Sequence, residues 1–192
     1  MSQVAVEHAT TIQNLMTAYK GESNARARYI AFAVKADADG LQGAASLFRA
    51  AAHAEKIHAD NHARVLKQFG GEPTDGVNPV GVNTTLENLK TALAGERYEV
   101  DTMYPGFLKE ATETKNAAAM RTFHFALEAE KAHARLFQEA ITLVEFGPED
   151  SWVDKARNFY VCPVCGYTSE TPEEHKRCPV CNCLWKQFDV IR

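Results

Sequence analysis

No cysteine occurs in the first 161 residues of this 192-residue chain; all five lie between Cys162 and Cys183. That clustering argues against a disulfide framework and for metal ligation in a reducing compartment. No apolar run approaches the ~20 residues a membrane span requires. The start, MSQVAVEHAT, lacks the basic and apolar regions of a signal peptide, so a cytoplasmic location is expected. A basic block is also missing: 21 Lys and Arg against 25 Asp and Glu leave a formal net charge of −4. Neither nucleic acid nor an anionic membrane is favoured as a partner. No glycine-rich nucleotide fingerprint or P-loop appears, so any pyridine nucleotide must be handled by a partner protein. What the chain does have is apolar content, 45% by composition, and length for one full domain with a small appendage.

Apolar residues recur at the three-and-four spacing of amphipathic helices over about 7–38, 42–69, 84–112 and 115–146. The stretch GGEPTDGVNPVGVN at 70–83 reads as a long crossover loop, and Thr84 with Glu87 as a capping box opening the third helix. The other connections are short, so each half is an antiparallel hairpin. Gly147-Pro148 ends the fourth helix. The expected organisation is a helical domain at 1–146, a linker at 147–157 and a small module of strands and turns at 158–192.

The two hairpins read as a duplication. EKIHA at 55–59 recurs as EKAHA at 130–134 and Tyr29 as Tyr104, both 75 positions on, whereas Gly21-Glu22 recurs as Gly95-Glu96 after 74. One extra residue therefore lies between Glu96 and Tyr104. Inserted into a helix whose flanks keep their faces, it makes a π-bulge, a feature frequent at functional sites. Pro105 adds an expected kink. Glu99 sits in this irregular stretch, where the first hairpin has only Asn24 or Ala25.

Following the apolar stripes places Glu22, Glu55, Glu96 and Glu130 inward, one from each helix. An unpaired buried carboxylate costs several kcal/mol, so four converging on one core require cations. One Glu from each of two helices, with a Glu-x-x-His from each of the other two, builds a carboxylate-bridged dinuclear site in a bundle core. Glu55 with His58, and Glu130 with His133, supply those pairs, and the mixed oxygen and nitrogen donors suit iron or manganese. The four carboxylates balance two ferrous ions. Oxidation to the diferric state favours one more anionic ligand, so one iron is expected to move between His58 when ferrous and Glu99 when ferric. Tyr29 and Tyr104, one to two turns from ligands, are expected to hydrogen-bond to the carboxylates or to bound oxygen species. His62, one turn beyond His58, reads first as a satisfied core histidine and second as a support for a metal ligand, and His8, His53, His124 and His175 get the plain reading.

Cys162-Pro-Val-Cys165 and Cys178-Pro-Val-Cys181 are two Cys-x-x-Cys knuckles separated by 12 residues, a tetrahedral thiolate signature that suits redox iron or structural zinc. About 35 residues build little core, so the metal contributes most of the module's folding energy. Cys183 lies outside the spacing and reads as a spare thiol.

With these features assembled, the chain resembles a rubrerythrin over essentially its whole length. GESNARARY, GERYEVDTMYPGF, both Glu-x-x-His phrases, CPVCGY, CPVC and the KQFDVI tail carry the likeness. The resemblance implies an all-α, ferritin-like four-helix bundle with one long crossover and a non-haem di-iron site, fused to a rubredoxin-like one-iron domain. It also implies reduction of hydrogen peroxide to water with electrons entering at the rubredoxin-like iron from a reductase or rubredoxin. On the matching positions Glu55 and Glu130 would bridge. Glu22 would be terminal on the iron shared by His58 and Glu99, and Glu96 with His133 would complete the other. A homodimer is implied, with one subunit's rubredoxin-like domain near the other's di-iron site. Cys183 departs from the family pattern.

The leading expectation is therefore a di-iron peroxidase in oxidative-stress defence, with Glu99, His58, Tyr29 and Tyr104 as the catalytic candidates. The main alternative is a ferritin-like protein that stores, oxidises or senses iron, with a structural zinc ribbon. An oxygenase would need an apolar substrate pocket that the sequence does not reveal.

Overall fold

The computed structural model describes residues 8–74, 76–148, 150–171 and 176–192. The helix start expected at residue 7 and His175 fall outside these. Helix α1 spans Ala9–Ala38 and α2 Gln42–Gln68; α3 spans Thr85–Tyr98, a π-helical turn spans Glu99–Met103, α4 spans Tyr104–Glu113 and α5 Ala117–Phe146. The α3, π and α4 segments form one continuous bundle helix, so the architecture is the expected four-helix bundle. Thr84 and Glu87 form the capping box that opens α3, each side chain reaching the other's backbone N–H. Pro105 is the second residue of α4, directly after the π turn, where a missing N–H costs little. The crossover is held down by Asn24, whose amide donates to the Gly76 carbonyl and accepts from the Asn78 N–H.

The apolar core falls into two blocks with a polar layer between them. One block centres on Phe32, Leu47, Phe48, Leu89 and Phe137, the other on Leu15, Leu66, Tyr104 and Phe123. On each long helix the inward acid sits between the two. Leu47 and Phe48 precede Glu55 while Val65 and Leu66 follow it; Phe123 precedes Glu130 while Leu136 and Phe137 follow it.

The C-terminal module is a three-stranded antiparallel sheet in the order β2-β1-β3, with β1 at Phe159–Val161, β2 at Thr168–Ser169 and β3 at Asp189–Ile191. Its linker is packed rather than loose. The Val153 carbonyl accepts from the Gly43 and Ala44 N–H groups, two donors that the first turn of α2 leaves unpaired. The approach is so close that a Cβ on Gly43 would stand 1.8 Å from the Trp152 carbonyl oxygen. Gly43→Ala is expected to cost about 1–3 kcal/mol, as forced overpacking does. Gly106→Ala, with nothing within 4 Å of its would-be Cβ, should be neutral or gain up to ~1 kcal/mol of helix propensity. Thermal unfolding of the two variants checks this; equal shifts in Tm would contradict it.

Candidate metal centres

All four inward glutamates are buried: Glu22, Glu55 and Glu130 are 0% exposed and Glu96 is 1%. The ligand atoms of Glu22, Glu55, His58 and Glu130 lie within 4.8 Å of one another, as do those of Glu55, Glu96, Glu130 and His133. The two groups share Glu55 and Glu130, so cations placed in them would be bridged by these two carboxylates. Each glutamate also keeps one buried oxygen without a hydrogen-bond partner among the described residues: Glu22 Oε2, Glu55 Oε1, Glu96 Oε2 and Glu130 Oε1. Orphaned anionic oxygens converging in a dry core are what a cation pair satisfies.

The imidazoles make the same point through their tautomers. His58 Nε2 lies 3.0 Å from the Cys165 carbonyl oxygen. A carbonyl can only accept, so Nε2 carries the proton. His133 Nε2 lies 3.0 Å from Thr168 Oγ1, whose own proton goes to the Gly166 carbonyl, so here too Nε2 must donate. In the neutral rings Nδ1 is then a bare lone pair. His58 Nδ1 stands 3.0 Å from Glu55 Oε2 and 2.7 Å from Glu130 Oε1, and His133 Nδ1 stands 2.6 Å from Glu130 Oε2. Lone pairs facing carboxylate oxygens repel unless a proton or a metal ion sits between them.

Protonation follows from this crowding. Burial and mutual repulsion push Glu55 well above the usual carboxylate range, with Glu130 its strongest neighbour. Burial also pushes Glu130 up, against the opposing pull of His58. Burial alone would lower His58, but Glu130 and Glu22 outweigh it and raise the ring. Glu22 goes the other way: burial raises it, and His62, His58 and Tyr104 together bring it below its ordinary value.

The tyrosines do what the sequence suggests for them. Each donates to the glutamate of the other hairpin, Tyr29 to Glu96 and Tyr104 to Glu22. Burial first, then the neighbouring carboxylates, holds both phenols well above their ordinary range, so they stay protonated donors. Glu99 is buried, 8% exposed, and stands outside both four-residue groups. Burial, then Glu22 and Glu130, raises its carboxyl. His62 is the satisfied core histidine that was expected, and it also supports a ligand. It is fully buried, and its Nε2 meets the Tyr104 hydroxyl at 3.0 Å while its Nδ1 meets Thr122 Oγ1 at 3.0 Å. It supports a residue that touches Glu22, and Thr122 was not anticipated at all.

The cysteine cluster forms as expected. The Sγ atoms of Cys162, Cys165, Cys178 and Cys181 all lie within 4.8 Å of one another, with Cys162–Cys181 at 3.4 Å and Cys165–Cys178 at 3.5 Å. These are too long for disulfides at ~2.05 Å and near the ~3.8 Å edge of a tetrahedron with ~2.3 Å bonds. Hydrogen bonds from Cys162 and Cys165 lower Cys178, whereas the neighbouring thiols and burial raise Cys165. Gly166 and Asn182, each following a knuckle, take positive φ values of 77 and 65. Their N–H groups bond back to the Cys162 and Cys178 carbonyls. Cys183 stands outside the cluster, its thiol 3.3 Å from Gln187 Oε1.

This module sits on the chain's own bundle, over the two Glu-x-x-His faces. Beside the His58 and His133 contacts, Asn61 donates to the Val164 carbonyl at 2.9 Å and His53 meets Asp189 at 2.9 Å. A Cβ on Gly166 would lie 2.2 Å from His58 Nε2, so only glycine fits there. The resemblance had placed a partner subunit's module near this site. The geometry of the single chain brings the two centres together without a second copy.

Fold and sites together define a ferritin-like di-iron carboxylate protein carrying a rubredoxin-like four-cysteine module. Comparison with known proteins is consistent with this class. The family model for rubrerythrin matches residues 13–141. Rubrerythrin-2 of Clostridium acetobutylicum is 38% identical over 189 residues, covering 98% of this chain and 100% of that one. Nigerythrin of Nitratidesulfovibrio vulgaris is 36% identical over 173 residues, covering 90% and 82%. A solved structure of fully reduced, all-ferrous nigerythrin superposes with a TM-score of 0.82 at 33% identity, covering 94% of this chain and 86% of that one. A mycobacterial bacterioferritin, at 20% identity and a TM-score of 0.69, shares the fold. The chain belongs to the rubrerythrin family, and its donor sets match the di-iron and four-cysteine iron cofactors of that family.

Within the carboxylate layer of the metal-free protein, Glu55, Glu99, Glu130 and His58 hold protons more tightly folded than unfolded, and Glu22 does the reverse. Stability of the metal-free protein is therefore expected to fall as pH rises above about 4.5, the ordinary carboxyl value. Iron loading should raise Tm and flatten that dependence. Tm measured against pH on stripped and reloaded protein checks this; a metal-free Tm that rises over the same range would contradict it.

Proposed function

We propose that the protein is a di-iron peroxidase that reduces hydrogen peroxide to two waters, taking two electrons and two protons per turnover. The observation that carries the reading is the His58 contact: one imidazole touches the buried carboxylate cluster with Nδ1 and the backbone of a cysteine-knuckle residue, Cys165, with Nε2. An electron-supplying module seated against a dinuclear site suits a centre that must be re-reduced at every turnover. A storage site has no such need.

When bound, the iron pair supplies the two electrons and the Lewis acidity that polarises the O–O bond. The chain's own groups do the rest. Glu55 and Glu130 would bridge, Glu22 with His58 and Glu96 with His133 would complete the two coordination sets, and Cys162, Cys165, Cys178 and Cys181 would hold the third iron. Tyr29 and Tyr104 hold protonated hydroxyls on Glu96 and Glu22, where they orient the terminal carboxylates and stand ready as hydrogen-bond donors. Glu99 would supply a further carboxylate in place of His58 when the pair is oxidised. The π turn supports that role, since its counterpart Asn24 in the first hairpin is spent on the crossover loop. The dry surroundings keep these electrostatic differences large. A reductase or rubredoxin outside the bundle would supply electrons, and a homodimer is the assembly that the resemblance suggests.

Metal analysis and colour come first: a red protein with three irons per chain is expected, whereas colourless protein with zinc in the cysteine site would favour iron storage or sensing. The decisive test mixes fully reduced protein with hydrogen peroxide or with air and follows the visible absorbance. Oxidation by peroxide should be at least ten times faster than by air, and oxidation no faster than in air would overturn the assignment. Glu99→Gln should keep iron content and slow the peroxide reaction on the order of a hundredfold, the usual size for losing one group that stabilises developing charge.

A further inference from the structure

We infer that Thr122 and His62 are positioning residues that connect Glu22 to solvent through Tyr104, giving one of the two metal positions a proton path that the other lacks among the described residues. The inference rests on the di-iron reading but needs no particular oxidant.

Donor and acceptor roles follow one from the next. The Glu22 carboxylate can only accept, so the Tyr104 hydroxyl points its proton at Glu22 Oε1. The phenol oxygen then accepts from His62 Nε2 at 3.0 Å. With its proton on Nε2, the neutral ring presents Nδ1 as an acceptor, and Thr122 donates to it at 3.0 Å. Tyr104 and His62 are fully buried and Thr122 is 5% exposed. Thr122 lines a cleft of about 340 Å³ between α2 and α5, roofed by Val164 of the cysteine module and flanked by Arg64 and Arg121. The hydrogen-bonded row thus runs unbroken from a surface cleft to the carboxylate layer.

The duplicated hairpin supplies the internal control. At the 75-residue offset, His62 corresponds to Phe137 and Thr122 to Leu47. Both are fully buried and apolar, and the Phe137 ring lies 5.4 Å from that of Tyr29. Tyr29 is packed among Phe32, Phe48 and Phe137, whereas Tyr104 is wired through an imidazole and a hydroxyl. A well-packed apolar solution therefore exists for this position in the same fold, and the Glu22 side departs from it with two polar residues, each in hydrogen-bond contact. Buried polar groups carry a desolvation cost that an apolar pair would avoid.

One passage balances as follows. A hydronium ion or buffer acid in the cleft gives a proton to Thr122 Oγ1, Thr122 passes its own to His62 Nδ1, His62 releases the Nε2 proton to Tyr104, and Tyr104 gives its proton to Glu22 Oε1. Water or the buffer's conjugate base is left in the cleft, Glu22 gains one proton, and His62 has changed tautomer. The reverse passage carries a proton from Glu22 back to the cleft and restores the first tautomer.

The test uses the full-length chain and two readouts. In protein loaded with zinc, which is diamagnetic, nitrogen-15 NMR should find His62 neutral with its proton on Nε2; the Nδ1–H tautomer or an imidazolium would overturn the proposal. In iron-loaded protein, oxidation of the reduced site is timed with hydrogen peroxide and separately with dioxygen, in H2O and in D2O. Thr122→Ser should keep the wild-type rate and solvent isotope effect. Thr122→Val, and His62→Phe with Thr122→Leu, should slow oxidation ten- to a hundredfold, the usual range for groups that support metal ligands, with iron content unchanged. An unchanged rate, or a loss of iron that accounts for the lost rate, would overturn it. The Thr122 pair decides the matter should the double variant not fold. Slow oxidation by peroxide in the wild type, with the variants still slowed toward dioxygen, would defeat the peroxidase reading and leave this one standing.

Discussion

Four carboxylates held in one dry layer of a helix bundle repel one another and have lost the water that would stabilise them, and every other feature of the site answers that cost. Cations are the compensation with the right charge, and the orphaned oxygens of Glu22, Glu55, Glu96 and Glu130 converge where two would sit. Apolar blocks above and below the layer keep water out and make the cost larger. The same dryness gives each hydrogen bond to the cluster its force. Stability and function are therefore coupled: the acids that strain the metal-free fold are the groups that would bind the metals.

The cysteine module extends that coupling. By accepting from His58 Nε2, the Cys165 carbonyl fixes the tautomer that leaves Nδ1 free for a metal, and Thr168 does the same for His133. A module that fixes the orientation of both imidazoles is part of the bundle's site rather than an attachment to it. Gly166 lets the knuckle approach this closely, and Val153 anchors the linker at the first turn of α2.

Much of this was legible in the sequence, because the duplication prints the same pattern twice. The inward acids follow from helical periodicity, and the π turn follows from the change of offset between Glu96 and Tyr104. The capping box at Thr84 and the Cys-x-x-Cys pairs are local rules that local sequence expresses fully. What was not legible depends on contacts between distant segments. The docking of Gly166 on His58 joins residues more than a hundred positions apart, and no periodicity announces it. His62 is the satisfied core histidine that was expected, but its link to Glu22 through Tyr104, and to Thr122, joins other helices and could not be read from its own. Its signal lay in the repeat, where histidine and threonine stand against Phe137 and Leu47, and only the fold shows those two positions touching.

The duplication also explains why the two metal positions are not equivalent. Tyr29 and Tyr104 play matching parts across the pseudo-twofold, but the second hairpin adds the π turn that buries Glu99, and the Tyr104 side adds the row to the cleft. The central claim, that a cation pair neutralises the buried acids, is tested most directly by anomalous diffraction at the iron edge from crystals grown with iron and without chelator. Two peaks flanked by Glu55 and Glu130, with a third among Cys162, Cys165, Cys178 and Cys181, are predicted; an iron-free bundle whose glutamates have turned to solvent would contradict the account.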